Sequence, residues 1–292
     1  MQYVILDLEW NNGFSAKLQG YINEIIEIGA IKLDEEMNII GQFSIFVRPD
    51  ITHRLKNRVK ELTQITNEDL KRGTSFTYAV SKFKKFTQGC VIMSWSKSDL
   101  VTLESNCQYY YGSETIPFLK YYADVQEYCQ KAIAPQEKNQ MALQVAAEKL
   151  NIDMDDIPLH RAVGDSLLTS RVLKAVFDPE KFREYICEVD EEFYRRLNFH
   201  TTYLCNLDNP LVDPSQMIFS CPACRKDCVL MTEWKVKGKA FIADLQCPEC
   251  KKTYRGRVQF KLCYEGVKVQ KKLSDMPSVK EQEAENADGD GS

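Results

Sequence analysis

The residues best suited to chemistry lie far apart along the chain. Asp7 and Glu9 follow directly on the apolar run Tyr3-Val4-Ile5-Leu6, which reads as a buried strand. On a strand, residues i and i+2 face the same way, with Cα atoms about 6.6 Å apart. Two carboxylates so placed could grip divalent cations about 4 Å apart. Without a cation they would repel one another, and burial would raise their pKa values. Taken alone, the pair is more simply a strand end reaching solvent. A second group is His160-Arg161-Ala162-Val163-Gly164-Asp165, at the start of an amphipathic stretch marked by Leu167, Leu168, Val172, Leu173 and Val176. In one continuous helix, His160 and Asp165 would point to different sides. With His160 in the preceding loop both can converge on a cleft, where Asp165 could hold a metal and His160 could take a proton from water. The plainer explanation is a helix-start histidine and a first-turn aspartate favoured by the helix dipole. Asp99 closes Ser94-Trp95-Ser96-Lys97-Ser98-Asp99, just beyond the buried strand Val91-Ile92-Met93. By itself it is a helix N-cap or loop residue.

As a set, these residues resemble the DnaQ-like, or RNase T-like, 3′–5′ exonucleases whose sites use four acidic ligands and a histidine (DEDDh). Asp7 and Glu9 match the first motif, Asp99 the second, and His160 with Asp165 the third. Flanking text agrees: Glu24-Ile-Ile-Glu-Ile-Gly-Ala30 looks like the family's second strand, and Leu62-Thr-Gln-Ile-Thr66 like its Leu-Thr-Gly-Ile-Thr segment. The resemblance spans about residues 1–178. There are departures. Trp10 and Asn11 stand where the family often has Thr or Ala followed by Thr, and Trp95 where many members have Asn. A tryptophan there is similar to the branch of RNA-trimming and sporulation-inhibitor-type exonucleases, although Ser96 replaces that branch's usual glycine. These differences bear on substrate preference more than on chemistry.

The resemblance implies two-metal hydrolysis of a phosphodiester at the 3′ end of single-stranded nucleic acid, RNA or DNA, with RNA the favoured substrate. Asp7, Glu9, Asp99 and Asp165 would hold the ions and His160 would accept the water's proton. An all-carboxylate site suits Mg²⁺ or Mn²⁺. Backbone amides near Trp10 and Asn11 are candidates for the terminal nucleotide, and Trp10 or Trp95 for stacking on a base. Both tryptophans are equally natural core residues.

Cysteine supplies the second site. Among 11 cysteines, Cys221-Pro-Ala-Cys224 and Cys247-Pro-Glu-Cys250 form two knuckles separated by 22 residues. This resembles a zinc ribbon, in which four thiolates hold one structural Zn²⁺ in place of a large core. Cys228 and Cys263 read as core residues, with Cys228 able to compete as a ligand. Residues 217–268 carry 11 basic and 5 acidic side chains, between acidic neighbours on both sides. Lys235, Lys237, Lys239, Lys251, Lys252, Arg255 and Arg257, interleaved with Trp234, Phe241 and Tyr254, could track a phosphate backbone.

Positioning these groups requires particular elements. Strands around 3–6, 25–33, 43–47 and 91–93, with helices near 79–86, 100–111, 141–150 and 167–176, predict an α/β fold, a mixed sheet flanked by helices; the resemblance implies that it is of ribonuclease H type. The expected organisation is an exonuclease domain over 1–178, a helical connector over 179–216, a β zinc ribbon over 217–268 and a disordered tail over 269–292. With 292 residues, 44% apolar and 27% charged, composition is that of a soluble protein. No run suits a membrane span, the start does not read as a secretory signal, and paired cysteines fit a reducing cytoplasm. Two function classes remain: a metal-dependent exonuclease, or a regulatory protein-binding module that kept the fold. Intact carboxylates favour the enzyme.

Overall fold

The computed structural model of the chain describes residues 1–276, in two compact units, 1–198 and 199 onward. In the first unit, β1 (Gln2–Ser15), β2 (Gly20–Leu33) and β3 (Ile39–Phe46) form an antiparallel meander, followed by α1 (Asn57–Thr63), α2 (Asn67–Arg72) and α3 (Phe76–Phe86). Then come β4 (Cys90–Ser94), α4 (Ser98–Tyr111), β5 (Tyr121–Asp124), α5 (Val125–Ile133), α6 (Leu143–Lys149) and α7 (Ala162–Val176). The unit closes with α8 (Pro179–Arg183), β6 (Ile186–Glu188) and α9 (Glu191–Leu197). Strand order is β3-β2-β1-β4-β5-β6. β4 runs parallel to β1 and to β5, while β6 is antiparallel to β5, so the sheet is mixed, as expected.

The central strand explains the packing. Val4, Ile5 and Leu6 are wholly buried because helices cover both faces. Ile5, Ile31 and Met93 pack with α5, α6 and α7 on one face, and Val4, Leu6 and Ile92 with α3 and α4 on the other. Helix starts are fixed locally: Thr66 and Asp69 form a capping box on α2, and the Ser75 hydroxyl accepts the Tyr78 N–H at α3.

The boundaries differ from those expected. Residues 179–198 are no connector: Phe182 is buried in one core, Phe193 and Leu197 pack against the other, and β6 extends the sheet. The helical character expected there is present, but the apolar residues are too few for the sequence to show that the segment packs on the sheet. The second unit contains β7 (Thr202–Leu204), β8 (Val229–Leu230), β9 (Lys235–Lys237), β10 (Ala240–Gln246), β11 (Thr253–Cys263) and β12 (Gly266–Asp275). Its path is β12-β11-β10-β8, with β7 on β11 and β9 on β10. Residues 269–275, expected in a disordered tail, pair with β11 from Phe260 to Tyr254; the strand is polar because one face meets solvent. Residues 277–292 of that tail lie outside the described residues. No described helix is long and apolar enough to cross a membrane.

Candidate active site

β1 and β2 build one wall of the site through their register. Ile5 pairs with Ile31, Asp7 with Gly29 and Glu9 with Glu27, so these six residues share the sheet face that carries α7. A β-bulge follows Glu9 and ends the regular alternation at the point where the carboxylates emerge. The start of α7 lies directly on Gly29. A Cβ there would sit 2.2 Å from the backbone of Ala162 and Val163, and one at Gly164 would sit 2.0 Å from the Pro158 carbonyl oxygen. The missing side chain at Gly29 thus lets α7 descend onto the sheet beside Asp7, and that at Gly164 lets the loop at Pro158 fold back against the start of the helix. Ser166 Oγ donates to the Gly29 carbonyl at 3.3 Å and fixes the contact.

His160 is outside the helix, as convergence requires, and its backbone is left-handed, with φ of 59°. It stands beside Asp165, whose carboxyl it helps to hold in the charged form. Carboxylate oxygens of Asp7, Glu9 and Asp165 come within 4.8 Å of one another. Asp99, in the first turn of α4, accepts the Leu8 N–H at 3.1 Å. Beyond Ile5, β1 has no residue of β4 to pair with, and Asp99 takes over that hydrogen bond. The predicted residues therefore gather around the middle of β1, just past the point where its pairing with β4 stops.

The electrostatics are those of crowded anions. Burial, then the charge of Asp99, Asp165 and Glu9, raises the Asp7 pKa well above the usual carboxylate range. Burial, followed by the charges of Asp165, Glu27 and Asp99, pushes Glu9 up to about 8. Asp99 is raised to about 7 by burial, against the hydrogen bond from Leu8. Asp165 is raised by burial and held back by His160. Such a cluster is poised to exchange protons for cations, and its all-oxygen donors suit hard ions such as Mg²⁺ or Mn²⁺.

Two supporting groups were not identified from the sequence. Glu27, fully buried, accepts Arg161 Nε and Nη2 at 3.0 Å each and Ser44 Oγ at 3.1 Å. Arg161 also lies over the Phe46 ring at 5.2 Å, which fixes the residue between His160 and α7. Glu24, equally buried, accepts the backbone N–H groups of Asp50, Ile51 and Thr52 at 2.6–2.8 Å. The available signal was two glutamates inside an otherwise apolar strand, where a buried charge needs a partner. Of the expected nucleotide contacts, Trp10 is half-buried against the α3–α4 core. Trp95 packs on the other core and donates Nε1 to the Met141 carbonyl at 3.2 Å. Asn11 is buried, its amide bonded to the Arg54 carbonyl and the Lys56 N–H.

In the second unit, the sulfurs of Cys221, Cys224, Cys247 and Cys250 also fall within 4.8 Å of one another. Cys221 and Cys250 Sγ are 3.5 Å apart, Cys224 and Cys247 Sγ 3.3 Å. A tetrahedral Zn²⁺ with 2.3 Å bonds needs about 3.8 Å, so the four thiols fit the ion after a small expansion. Tyr254 OH donates to Cys221 Sγ at 3.3 Å, and that bond, with backbone N–H groups, lowers the Cys221 pKa to about 6. Cys247 is lowered too, by backbone N–H groups of its knuckle. Cys228 is not part of the cluster; it lies half-buried with its N–H on the Phe219 carbonyl. Cys263 is buried at the end of β11.

Comparison with known proteins agrees with this geometry. The exonuclease family named for RNase T matches residues 4–173, more than half of the chain. The probable 3′–5′ exonuclease KapD of Bacillus subtilis (strain 168) is 25% identical over 169 residues, covering 57% of this chain and 79% of its own. A PolC-type DNA polymerase III of Lactococcus lactis is 33% identical over 92 residues, 32% of this chain and 5% of the polymerase. Among solved structures, the nuclease domain of 3′hExo, a DEDDh family member bound to rAMP, superposes with a TM-score of 0.51 at 22% identity, over 59% of this chain and 90% of that one. A 3′-exonuclease described as recognising the histone mRNA stem-loop superposes with a TM-score of 0.51 at 18% identity, over 65% and 91%. The chain belongs to the exonuclease family named for RNase T, enzymes that hydrolyse phosphodiester bonds.

Proposed function

We propose that the protein trims single-stranded RNA from its 3′ end, with Asp7, Glu9, Asp99 and Asp165 holding two Mg²⁺ or Mn²⁺ ions and His160 as general base. The observation that carries this reading is the meeting of Asp7, Glu9 and Asp165 within 4.8 Å. When bound, the ions supply an activated water and charge stabilisation at the leaving oxygen. His160, placed outside α7 by its left-handed backbone, accepts the proton of the attacking water. Arg161 keeps that segment anchored through Glu27. Trp10 and Trp95, each half-buried, offer ring edges to the terminal bases, and backbone amides beside Trp10 and Asn11 contact the last nucleotide. Trp95 favours RNA, since the RNA-trimming branch has tryptophan at that place. In the second unit, Cys221, Cys224, Cys247 and Cys250 hold one structural Zn²⁺.

Matched RNA and DNA strands labelled at the 3′ end test this in the presence of Mg²⁺. The wild type releases labelled mononucleotide first, faster from RNA. Asp165→Ala abolishes release, and His160→Ala slows it by about 10²–10⁴-fold, the span of general-base contributions. Release that survives Asp165→Ala, or that starts from the 5′ end, refutes the assignment.

A further inference from the structure

The second unit has an asymmetric sheet. Along β11, Tyr254, Gly256, Val258 and Phe260 are buried, while the alternate positions Arg255 and Arg257 are exposed. Register carries the outer face across the neighbouring strands. Arg257 pairs with Lys272 on β12 and with Ile242 on β10, and Ile242 pairs with Lys235 on β9. Lys261 pairs with Lys268 on β12 and with Tyr203 on β7. Ala240 pairs with Lys237. One face therefore presents cations from three strands, β12, β11 and β9, with β10 lying between the last two. Tyr203 gathers two of them over its ring, Lys239 at 4.9 Å and Lys261 at 5.9 Å. Asp244 shares this face through its register with Arg255, and that arginine already holds it, at 2.9 Å.

The geometry corrects the aromatic partners expected from the sequence. Phe241 and Tyr254 are core residues, and Trp234 packs against the same core beside Phe219. They point away from the cations, and Tyr203 takes their place. Lys251 and Lys252 lie in the second cysteine knuckle, outside the strand register.

We infer that this face is a docking surface for the phosphate backbone of a nucleic-acid strand, distinct from the carboxylate site. Same-face residues repeat about every 6.6 Å along each strand and about 4.8 Å between strands, giving a lattice of fixed cations rather than one point charge. Such a lattice suits a polyanion of regular spacing and reads no bases. The cationic face stands on its own observations; that the bound strand is single-stranded rests on the proposed exonuclease reading.

The test uses the zinc-loaded full chain carrying Asp165→Ala, so that the strand survives, and reads fluorescence anisotropy of a labelled single-stranded oligonucleotide across a salt series. Arg257→Ala/Lys261→Ala/Lys272→Ala makes the slope of log affinity against log salt shallower by about 2, at roughly 0.7 per lost phosphate contact. The same loss of charge at Lys226, Lys251 and Lys252 leaves the slope as it was. Equal effects of the two triple variants would mean net charge alone, and would overturn the inference. So would an unchanged slope in the first variant, or displacement of the strand by poly-glutamate as effectively as by unlabelled strand. With Asp165 restored, the first triple variant still hydrolyses a dinucleotide at the wild-type rate. A wild type that binds strands but cleaves neither dinucleotide nor oligonucleotide would defeat the exonuclease reading and leave the docking face standing.

Discussion

Glu9 shows how one side chain registers the whole site. Its pKa of about 8 comes first from burial and then from neighbouring anions, and a bound cation removes both penalties. The folded state therefore holds a proton that the unfolded chain, with an ordinary carboxylate near 4.5, has lost. Stability of the metal-free protein must fall as pH rises between those two values. Glu9→Gln mimics the protonated form, so the variant should match the wild type near pH 4.5 and melt above it near pH 8, with the gap closing when Mg²⁺ is added. Thermal melts at the two pH values, with and without the ion, decide the matter; a gap that shrinks towards pH 8 contradicts the crowding described here. Residues of this kind were legible because Asp7, Glu9, Asp99, His160 and Asp165 together resemble one family's motifs, whereas each short spacing alone reads more simply as a strand end or a helix start. Glu27 and Arg161 were not, because their partnership spans 134 positions and exists only through the β1–β2 register and the landing of α7.

At the scale of elements, the decisive contact is α7 on β2. Helix and strand touch where Gly29 has no side chain, opposite Asp7. Any Cβ at Gly29 meets backbone rather than a movable side-chain end, so the helix itself has to shift. Gly29→Val should then reduce stability by about 3 kcal/mol, the upper part of the overpacking range, and abolish hydrolysis by separating Asp165 from Asp7 and Glu9. Gly41→Val, on the neighbouring strand with a ring edge 3.3 Å away, should perturb the molecule far less. Denaturant melts and a cleavage assay of both variants check this; similar losses in both would show that α7 tolerates displacement. Helices and strands with strong apolar runs were legible, such as β4, α3 and α7. The short β6 was not, and α9, expected as helix but in a connector, was not seen to pack on the sheet, because their few apolar residues are recognisable only against the surfaces they cover. The ribbon sheet was legible in its cysteines and misjudged in its extent, since β12 alternates polar and apolar residues too weakly to stand out from the tail beyond it.

At the scale of the whole molecule, two units each possess their own sheet and core. In the zinc-ribbon reading proposed above, the second relies on four thiols around one ion where a larger domain would use apolar mass. A zinc-selective chelator, or Cys247→Ser, should unfold the second unit, release zinc in equal measure to protein and weaken strand binding, while cleavage of a dinucleotide continues. Calorimetry of the treated protein should show one transition lost and one kept; zinc content unchanged by Cys247→Ser on atomic spectroscopy would contradict the ligand set. The two ion sites also differ in kind, oxygen in one and sulfur in the other. Hard and soft metals consequently do not compete for the same place in this polymer. Under the assignments proposed above, a cell starved of one nutrient cation would disarm half of the molecule while the other half stayed intact, so that severing a strand end and keeping hold of it would answer to separate supplies.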